Sequence, residues 1–192
     1  MAEIKSTLEL ALEKAERFGR ATSEELQREK YQEKGRQLAV GYLAGEGDLE
    51  GPLAELSAEA REIARNMVKE VLLRNVTLPK DGELDERISR ALEGLLIVAA
   101  NKKGMARLKT EVEQLLQNYL LARNSAYQQL KNSFVHSLNN VQRALEAQFH
   151  QKIRLEVENL PQFQEEWRKF QVNLLSQFEP LLEERKNKMR AL

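Results

Sequence analysis

The sequence predicts an all-α protein, an elongated helical bundle with one long helix over about residues 105–159 as its spine. Three observations support this fold class. Apolar residues recur every three or four positions through most of the chain, which is the period of an amphipathic helix. Runs that alternate apolar with polar residues, which would indicate strands, are nearly missing. Residues 105–159 contain neither glycine nor proline, so nothing in that stretch is a strong helix breaker.

The first half of the chain is expected to form an N-terminal helical arm and two shorter helices. The arm occupies residues 1–45 and ends where four glycines, a proline and an aspartate fall within residues 41–52. The two shorter helices lie within residues 53–101, and Ser57 and Asp81 are their expected N-caps. With 192 residues, of which 42% are apolar, we expect the whole chain to be a single domain.

The ends of the long helix are predicted from its flanking residues. The segment 101–104 is Asn-Lys-Lys-Gly, and bases followed by glycine are typical of a helix C-terminus, so we assign it to the end of the preceding helix. Pro161 changes the direction of the chain after the long helix. It begins a C-terminal aromatic helix over residues 161–190.

A helix of this length leaves two alternatives open. Fifty-five residues span about 80 Å at about 1.5 Å per residue, about twice the diameter of a compact globule of this size. The long helix therefore either makes the molecule elongated, which we expect, or breaks. The weakest points are the pairs of short polar side chains that begin at Asn124, Asn132 and Asn139, because such side chains compete for backbone hydrogen bonds.

The charge composition argues against several classes of function. Thirty basic and thirty acidic residues give a net charge of zero, and no segment is strongly basic, so we expect no nucleic-acid partner. No apolar run approaches the roughly 20 residues that cross a bilayer. The first twenty residues lack the uncharged core of a secretory signal, and the sequence has no cysteine. A cytoplasmic location is the resulting expectation.

The sequence offers no catalytic constellation. Its glycine cluster at residues 45–51 is acidic and unsuited to phosphate, and no serine is framed by glycines as in a hydrolase. His136 and His150 are fourteen residues apart, about 21 Å along a straight helix, so they cannot share a metal ion within one chain. We therefore predict no catalytic, cofactor-binding or metal-binding residue, no cofactor and no enzymatic activity.

The middle of the long helix is unusually rich in neutral amides. Between residues 114 and 152 glutamine and asparagine largely replace glutamate and lysine. Amides tolerate partial burial better than charges and hydrogen-bond across helix seams, which favours self-association. The alternative is an ordinary solvated face of unusual composition. The candidate residues for self-association are Gln128, Asn132 and Asn139.

An aromatic row on the C-terminal helix is the second candidate surface. Its members share one face and include the only tryptophan of the chain. Such a row either packs within the protein or anchors a protein partner or a membrane surface. Its polar side is not basic, which makes the membrane the weaker option. The residues are Phe163, Trp167, Phe170 and Phe178.

The N-terminal sequence carries the one resemblance to a known family. Residues 1–8, MAEIKSTL, followed by an all-helical chain, resemble uncharacterised bacterial proteins of a domain-of-unknown-function type. This resemblance covers only the N-terminal stretch and implies no activity, substrate or site. In helix content and polarity the chain also resembles elongated stalk subunits, such as the peripheral stalks of rotary ATPases, at the level of fold alone.

These observations predict a non-catalytic helical scaffold or protein–protein interaction protein. We expect it to self-associate, as a homodimer, and to bind a further protein partner that the sequence does not identify. One alternative is a helical protein that binds the surface of a membrane. A second is an enzyme or metal carrier whose polar residues converge only in the folded structure.

Overall fold

A computed structural model describes residues 23–80, 82–149 and 156–192 of the chain, with backbone alone at residues 136, 137, 139–141 and 143–149. Every regular element in these ranges is a helix, and none of the described residues belongs to a strand. The all-α class and the long helix are therefore confirmed. The helices are α1 (Ser23–Ala44), α2 (Glu50–Ala54), α3 (Ala58–Asn75), α4 (Glu86–Val98), α5 (Lys102–Phe149), a 3-10 helix (Val157–Asn159) and α6 (Pro161–Arg190).

The chain divides into two compact units, with the boundary between Val68 and Lys69 in α3. In the first unit, α1 and the first part of α3 approach closely at Gly35. A Cβ atom at Gly35 would lie 2.5 Å from the backbone oxygen of Ala64 and 3.0 Å from Cβ of Met67. Only glycine permits this separation of the two helices. The first 22 residues of the predicted N-terminal arm lie outside the described residues.

The turn after α1 lies where the glycine cluster predicts it. Gly45 and Gly47 adopt positive φ angles of 83° and 102°, a region that favours glycine. Arg61 then secures the short helix α2 by donating from Nε to Leu53 O at 2.9 Å and from Nη2 to Ala54 O at 2.8 Å. These bonds satisfy carbonyl groups that the end of a helix leaves without partners.

The second unit contains the rest of α3, together with α4, α5, the 3-10 helix and α6. Its C-terminal end is tied to α3 because Arg190 Nε contacts Glu70 Oε1 at 2.7 Å and Lys69 Nζ donates to Arg190 O at 3.2 Å. Burial of apolar side chains is the main stabilising contribution in this core. Its fully buried side chains include Leu72, Leu73, Val76, Leu92, Leu95, Met105, Val112, Leu116 and Met189.

The segment 101–104 begins the long helix, so its assignment to the end of the preceding helix was wrong. Asn101 caps α5, because its Oδ1 accepts from Gly104 N at 2.9 Å and its carbonyl accepts from Met105 N at 3.0 Å. A Cβ atom at Gly104 would lie 2.9 Å from Asn101 Nδ2, so the glycine gives the capping side chain room. Both residues serve a helix start here.

The N-cap of α4 also differs from the predicted one. Asp85 precedes the first residue of α4 and its side chain accepts from Arg87 N at 2.8 Å. The helix thus begins at Glu86, a little later than the sequence pattern suggests. The predicted cap, Asp81, lies outside the described residues.

The long helix is continuous through Asn124, Asn132 and Asn139, but it does not reach Asn159 as predicted. It runs for 48 residues to Phe149, about 72 Å at about 1.5 Å per residue. Glu156 is extended, with φ −106° and ψ 135°, and residues 157–159 form a separate 3-10 helix. The reason is tertiary: α6 returns along α5, and buried Val157 packs in the core that joins them.

Candidate interaction surface

Helices α5 and α6 run antiparallel and are joined by aromatic contacts. Tyr119 packs edge-to-face on Phe178 with ring centroids 5.4 Å apart, and Tyr127 packs on Trp167 at 5.1 Å. Residue numbers thus rise along α5 as they fall along α6. This edge-to-face geometry is favourable beyond the burial of apolar area, by about 0.5–1.5 kcal/mol for each pair.

A small apolar core closes the far end of this helix pair. Phe163 is 2% exposed and packs with buried Leu138 and Val157. The rings of Tyr127 and Phe134 each meet Phe163 edge-to-face with centroids 5.7 Å apart. The start of α6 is therefore anchored on α5 from within the chain.

Arg123, one of the two charged residues of α5 between residues 114 and 133, is directed to neighbouring elements of its own chain. Its guanidinium carbon lies 5.4 Å from the centroid of the Trp167 ring, a cation–π distance. Its Nη2 donates to Lys80 O at 2.9 Å, in the segment between α3 and α4. The charge of Arg123 is thus engaged by that segment and by α6.

Lys131, the other charged residue of that stretch, contacts the 3-10 helix. Its Nζ donates to Glu158 Oε1, and the hydroxyl of Tyr127 donates to the same oxygen at 3.2 Å. The bond from Lys131 holds the pKa of Glu158 below its usual value and raises the pKa of Lys131. Burial, with the adjacent Glu158 carboxylate, raises the pKa of Tyr127. The charge of Lys131 therefore has a partner within its own chain.

The exposed side chains of α5 over residues 114–132 are all uncharged, and the two charged residues of that stretch lie on its other sides. An α-helix turns by about 100° per residue about its axis. The exposed side chains that lie within about 60° of Leu121 around that axis are Leu121 itself and seven residues that carry an amide or a hydroxyl group. We call this set the neutral face of α5. At its edge, Asn124 Nδ2 donates to Gly82 O at 3.4 Å. Its members are Gln114, Gln117, Asn118, Leu121, Asn124, Ser125, Gln128 and Asn132.

Six of these residues have the spacing of a helix-pairing seam. Their separations alternate four, three, four, three and four residues, which is the repeat of the contact positions in a coiled coil. Leu121 is 67% exposed and is the third of the six residues of the row. A single exposed leucine is common on protein surfaces, so it is the spacing of the whole uncharged row that makes this side of α5 a candidate contact. The row is Gln114, Asn118, Leu121, Ser125, Gln128 and Asn132.

The predicted candidate residues do not form one surface. Phe163 is buried, and Trp167 and Phe178 are half-buried against α5, whereas Phe170 is 44% exposed on α6. The two described amides of the predicted set, Gln128 and Asn132, both lie on the neutral face. Asn139 lies on α5, and its side chain is outside the described part of the structure.

Sequence reasoning missed Leu121 as the centre of the neutral face. Leu121 lies outside the apolar stripe of α5, which contains Tyr119 and Ala122, so apolar spacing alone does not single it out. The signal that identifies it is its heptad spacing with Gln114 and Gln128, seven residues away on either side. Counting amide spacing as well as apolar spacing would have found the row.

The described titratable groups form no evident chemical centre. Among residues whose side chains the structure describes, no group of three or more His, Cys, Asp or Glu could hold a metal ion. His136, by its side chain, and His150 lie outside that description. The shifted pKa values of the charged groups belong to ion pairs such as Glu184 with Lys188 and Arg190 with Glu70, while burial is the first cause of the raised pKa values of Tyr119 and Tyr127. No described helix has an apolar stretch that could span a membrane.

The fold and this surface define an all-helical protein with a long antiparallel helix pair. A family of unknown function, DUF6657, matches residues 50–191, and the chain belongs to this family. The resemblance to an uncharacterised family is thereby confirmed, although residues 1–8 lie outside the matched range. No curated protein and no solved structure matches the chain.

Proposed function

We propose that this protein is a non-catalytic helical scaffold that self-associates as a homodimer through the neutral face of α5. The observation on which the proposal rests is the exposed, uncharged heptad row that contains Leu121, while Arg123 and Lys131, the charges of the same stretch, contact other elements of the chain. Burying charges in an interface is costly unless they are paired, whereas amides are buried at lower cost when they hydrogen-bond.

The chemistry of the face fits a second copy of the same chain. In a two-fold dimer the same patch meets itself, so a charged patch brings like charges together. Each amide donates and accepts hydrogen bonds, so an amide row can satisfy a copy of itself. Polar residues at coiled-coil contact positions also specify register and oligomeric state, at a cost in stability.

The same contacts favour a scaffold over the alternatives. The shifted pKa values of the charged groups arise from ion pairs such as Lys131 with Glu158. The raised pKa values of Tyr119 and Tyr127 arise first from burial. The aromatic anchors that a membrane-surface protein would insert are engaged within the chain, since Phe163 is buried and Trp167 packs on Tyr127. For an unidentified protein partner, Phe170 is the accessible member of the aromatic row.

Light scattering on the purified chain tests the proposal. We expect a mass twice the 22.1 kDa of one chain. Leu121→Glu places like charges across the two-fold contact, and Gln128→Glu buries a charge without a partner in it, so we expect both variants to have the mass of a single chain. Both sites are exposed, and glutamate is a good helix former, so helicity measured by circular dichroism stays unchanged.

Val172→Glu is the matched control, because Val172 is 62% exposed on α6, away from the neutral face. This variant keeps the mass of the unaltered protein. A wild-type chain that stays at the mass of one chain at all working concentrations refutes self-association. A dimer that both glutamate variants leave intact refutes the neutral face as its contact.

A further inference from the structure

We infer that the second copy packs on the neutral face in the antiparallel direction, with the two-fold axis passing near Leu121. This inference rests on the proposed function and specifies the partner of the same surface. It follows from the position of the charges along α5, and the order of the amides on either side of Leu121 is compatible with it.

The charges at the start of α5 distinguish the two directions. Lys103 and Arg107 are both exposed. Lys103 lies eighteen residues, or five helical turns, before Leu121, and Arg107 lies fourteen residues, or about four turns, before it. Both residues are therefore on the same side of α5 as Leu121. Among residues 102–135 they are the only charges within about 60° of Leu121. The exposed acid nearest to them, Glu111, lies toward α6, with its Oε2 4.0 Å from Arg185 Nε.

A parallel pair in register would place Lys103 and Arg107 directly against their own copies. An antiparallel pair centred on Leu121 separates the two copies of Lys103 by 36 helix positions, about 54 Å, and the two copies of Arg107 by about 42 Å. Both separations greatly exceed the screening length of about 8 Å at physiological ionic strength. Repulsion between these basic groups therefore disfavours the parallel pair and has little effect on the antiparallel pair.

The amide sequence is also suited to the antiparallel register. With Leu121 opposite its own copy, Gln114 lies opposite Gln128 of the second copy, and Asn118 lies opposite Asn124. Each of these pairs joins side chains of the same type, which can donate to and accept from one another. The two leucines meet at the centre, where apolar contact is best shielded from water.

Disulfide trapping tests the direction, because the natural chain contains no cysteine and each substitution introduces a single thiol per chain. The variants are Leu121→Cys, Gln114→Cys and Gln128→Cys. Leu121→Cys is expected to cross-link with itself on mild oxidation. Gln114→Cys mixed with a tagged Gln128→Cys protein is expected to give the mixed dimer, while neither of these two variants cross-links with itself. A disulfide requires Cα atoms within about 7 Å, so the pattern reports the register directly.

Val172→Cys, exposed on α6, is the matched control and is expected to form no cross-link. Self-cross-linking of Gln114→Cys and of Gln128→Cys, without the mixed product, would show a parallel pair. That result overturns this inference but leaves the proposed dimer standing. No cross-link at any of the three positions, with the mass of one chain in light scattering, overturns both. If the protein has twice the mass of one chain but none of the three variants cross-links, the dimer forms through a surface other than the neutral face, which overturns both proposals about that face.

Discussion

At the scale of single residues, Glu158 of the 3-10 helix joins the interior of α5 to the segment that precedes α6. Its carboxylate accepts hydrogen bonds from Lys131 and Tyr127, and its pKa is lowered chiefly by Lys131. A carboxyl group with a lowered pKa in the folded state stabilises the fold above its unfolded pKa. That contribution is lost as the pH falls through its folded pKa.

We therefore predict that the stability advantage of wild type over Glu158→Gln is full at neutral pH and shrinks as the pH falls below about 4. Urea unfolding at a series of pH values measures it. In a Lys131→Met background the same Glu158→Gln substitution should show a much weaker pH dependence, since the main cause of the lowered pKa is gone. A stability difference between wild type and Glu158→Gln that stays unchanged at low pH would contradict a lowered pKa of Glu158.

Gly35 supports a second prediction at this scale. Substitution by alanine gains about 1 kcal/mol of helix propensity but forces a Cβ atom to within 2.5 Å of Ala64 O, a backbone atom that cannot move aside. We expect Gly35→Ala to lower the free energy of unfolding by about 1–2 kcal/mol net. Gly51→Ala is the control, since its Cβ would meet Asp48 Oδ1 at an ordinary 3.4 Å. Equal stability of the two variants would contradict the close approach.

At the scale of elements, the aromatic row of α6 divides into packing and exposed positions. Phe163→Ala removes a 2% exposed ring from the core with Leu138 and Val157, and we expect a loss of about 3–5 kcal/mol. Phe170→Ala truncates a 44% exposed ring, and we expect a loss of less than about 1 kcal/mol. Denaturant unfolding followed by the fluorescence of Trp167, the only tryptophan, measures both. Similar losses of unfolding free energy in the two variants would contradict this division between packed and exposed positions.

The helices themselves could be predicted from the sequence because their cause is local. The three-to-four residue period and the absence of glycine and proline gave α3, α5 and α6 to within a few residues at most of their ends. The start of α5 was predicted wrongly because Asn101 and Gly104 are compatible with either end of a helix. The C-terminal end of α5 was predicted wrongly because Val157 continues the apolar spacing of the helix in the sequence. In the structure Val157 packs against α6 instead, a contact that no local pattern encodes.

The candidate surface could be predicted only in part, for a related reason. The amide content of α5 is a property of the sequence, and it indicated Gln128 and Asn132 as candidates for self-association; both are exposed in the structure. The helical positions of Arg123 and Lys131 already place both charges off this face, but the covering of the other sides of α5 depends on contacts that these two residues make with distant parts of the chain. Their partners, Trp167 and Glu158, are 44 and 27 positions further along the chain and come near only when α6 folds back.

At the scale of the whole molecule, the balance of thirty basic and thirty acidic residues leaves no net charge to oppose or drive association. The proposed contact is itself uncharged, and Lys103 and Arg107 lie toward its two ends in an antiparallel pair. Salt acts on association mainly by screening charge. Over the range from about 0.1 M to about 1 M, the screening length falls from about 10 Å to about 3 Å.

The dimer dissociation constant should therefore change by less than about threefold over that range of sodium chloride, because the neutral face presents no ion pair to screen. Sedimentation equilibrium at several salt concentrations measures it. Gln114→Lys combined with Gln128→Glu provides the contrast, since an antiparallel pair then gains two salt bridges across the contact and its affinity should fall as salt rises. A wild-type affinity that weakens tenfold would mean that charged groups outside the neutral face carry the association, and that α5 is not its main contact.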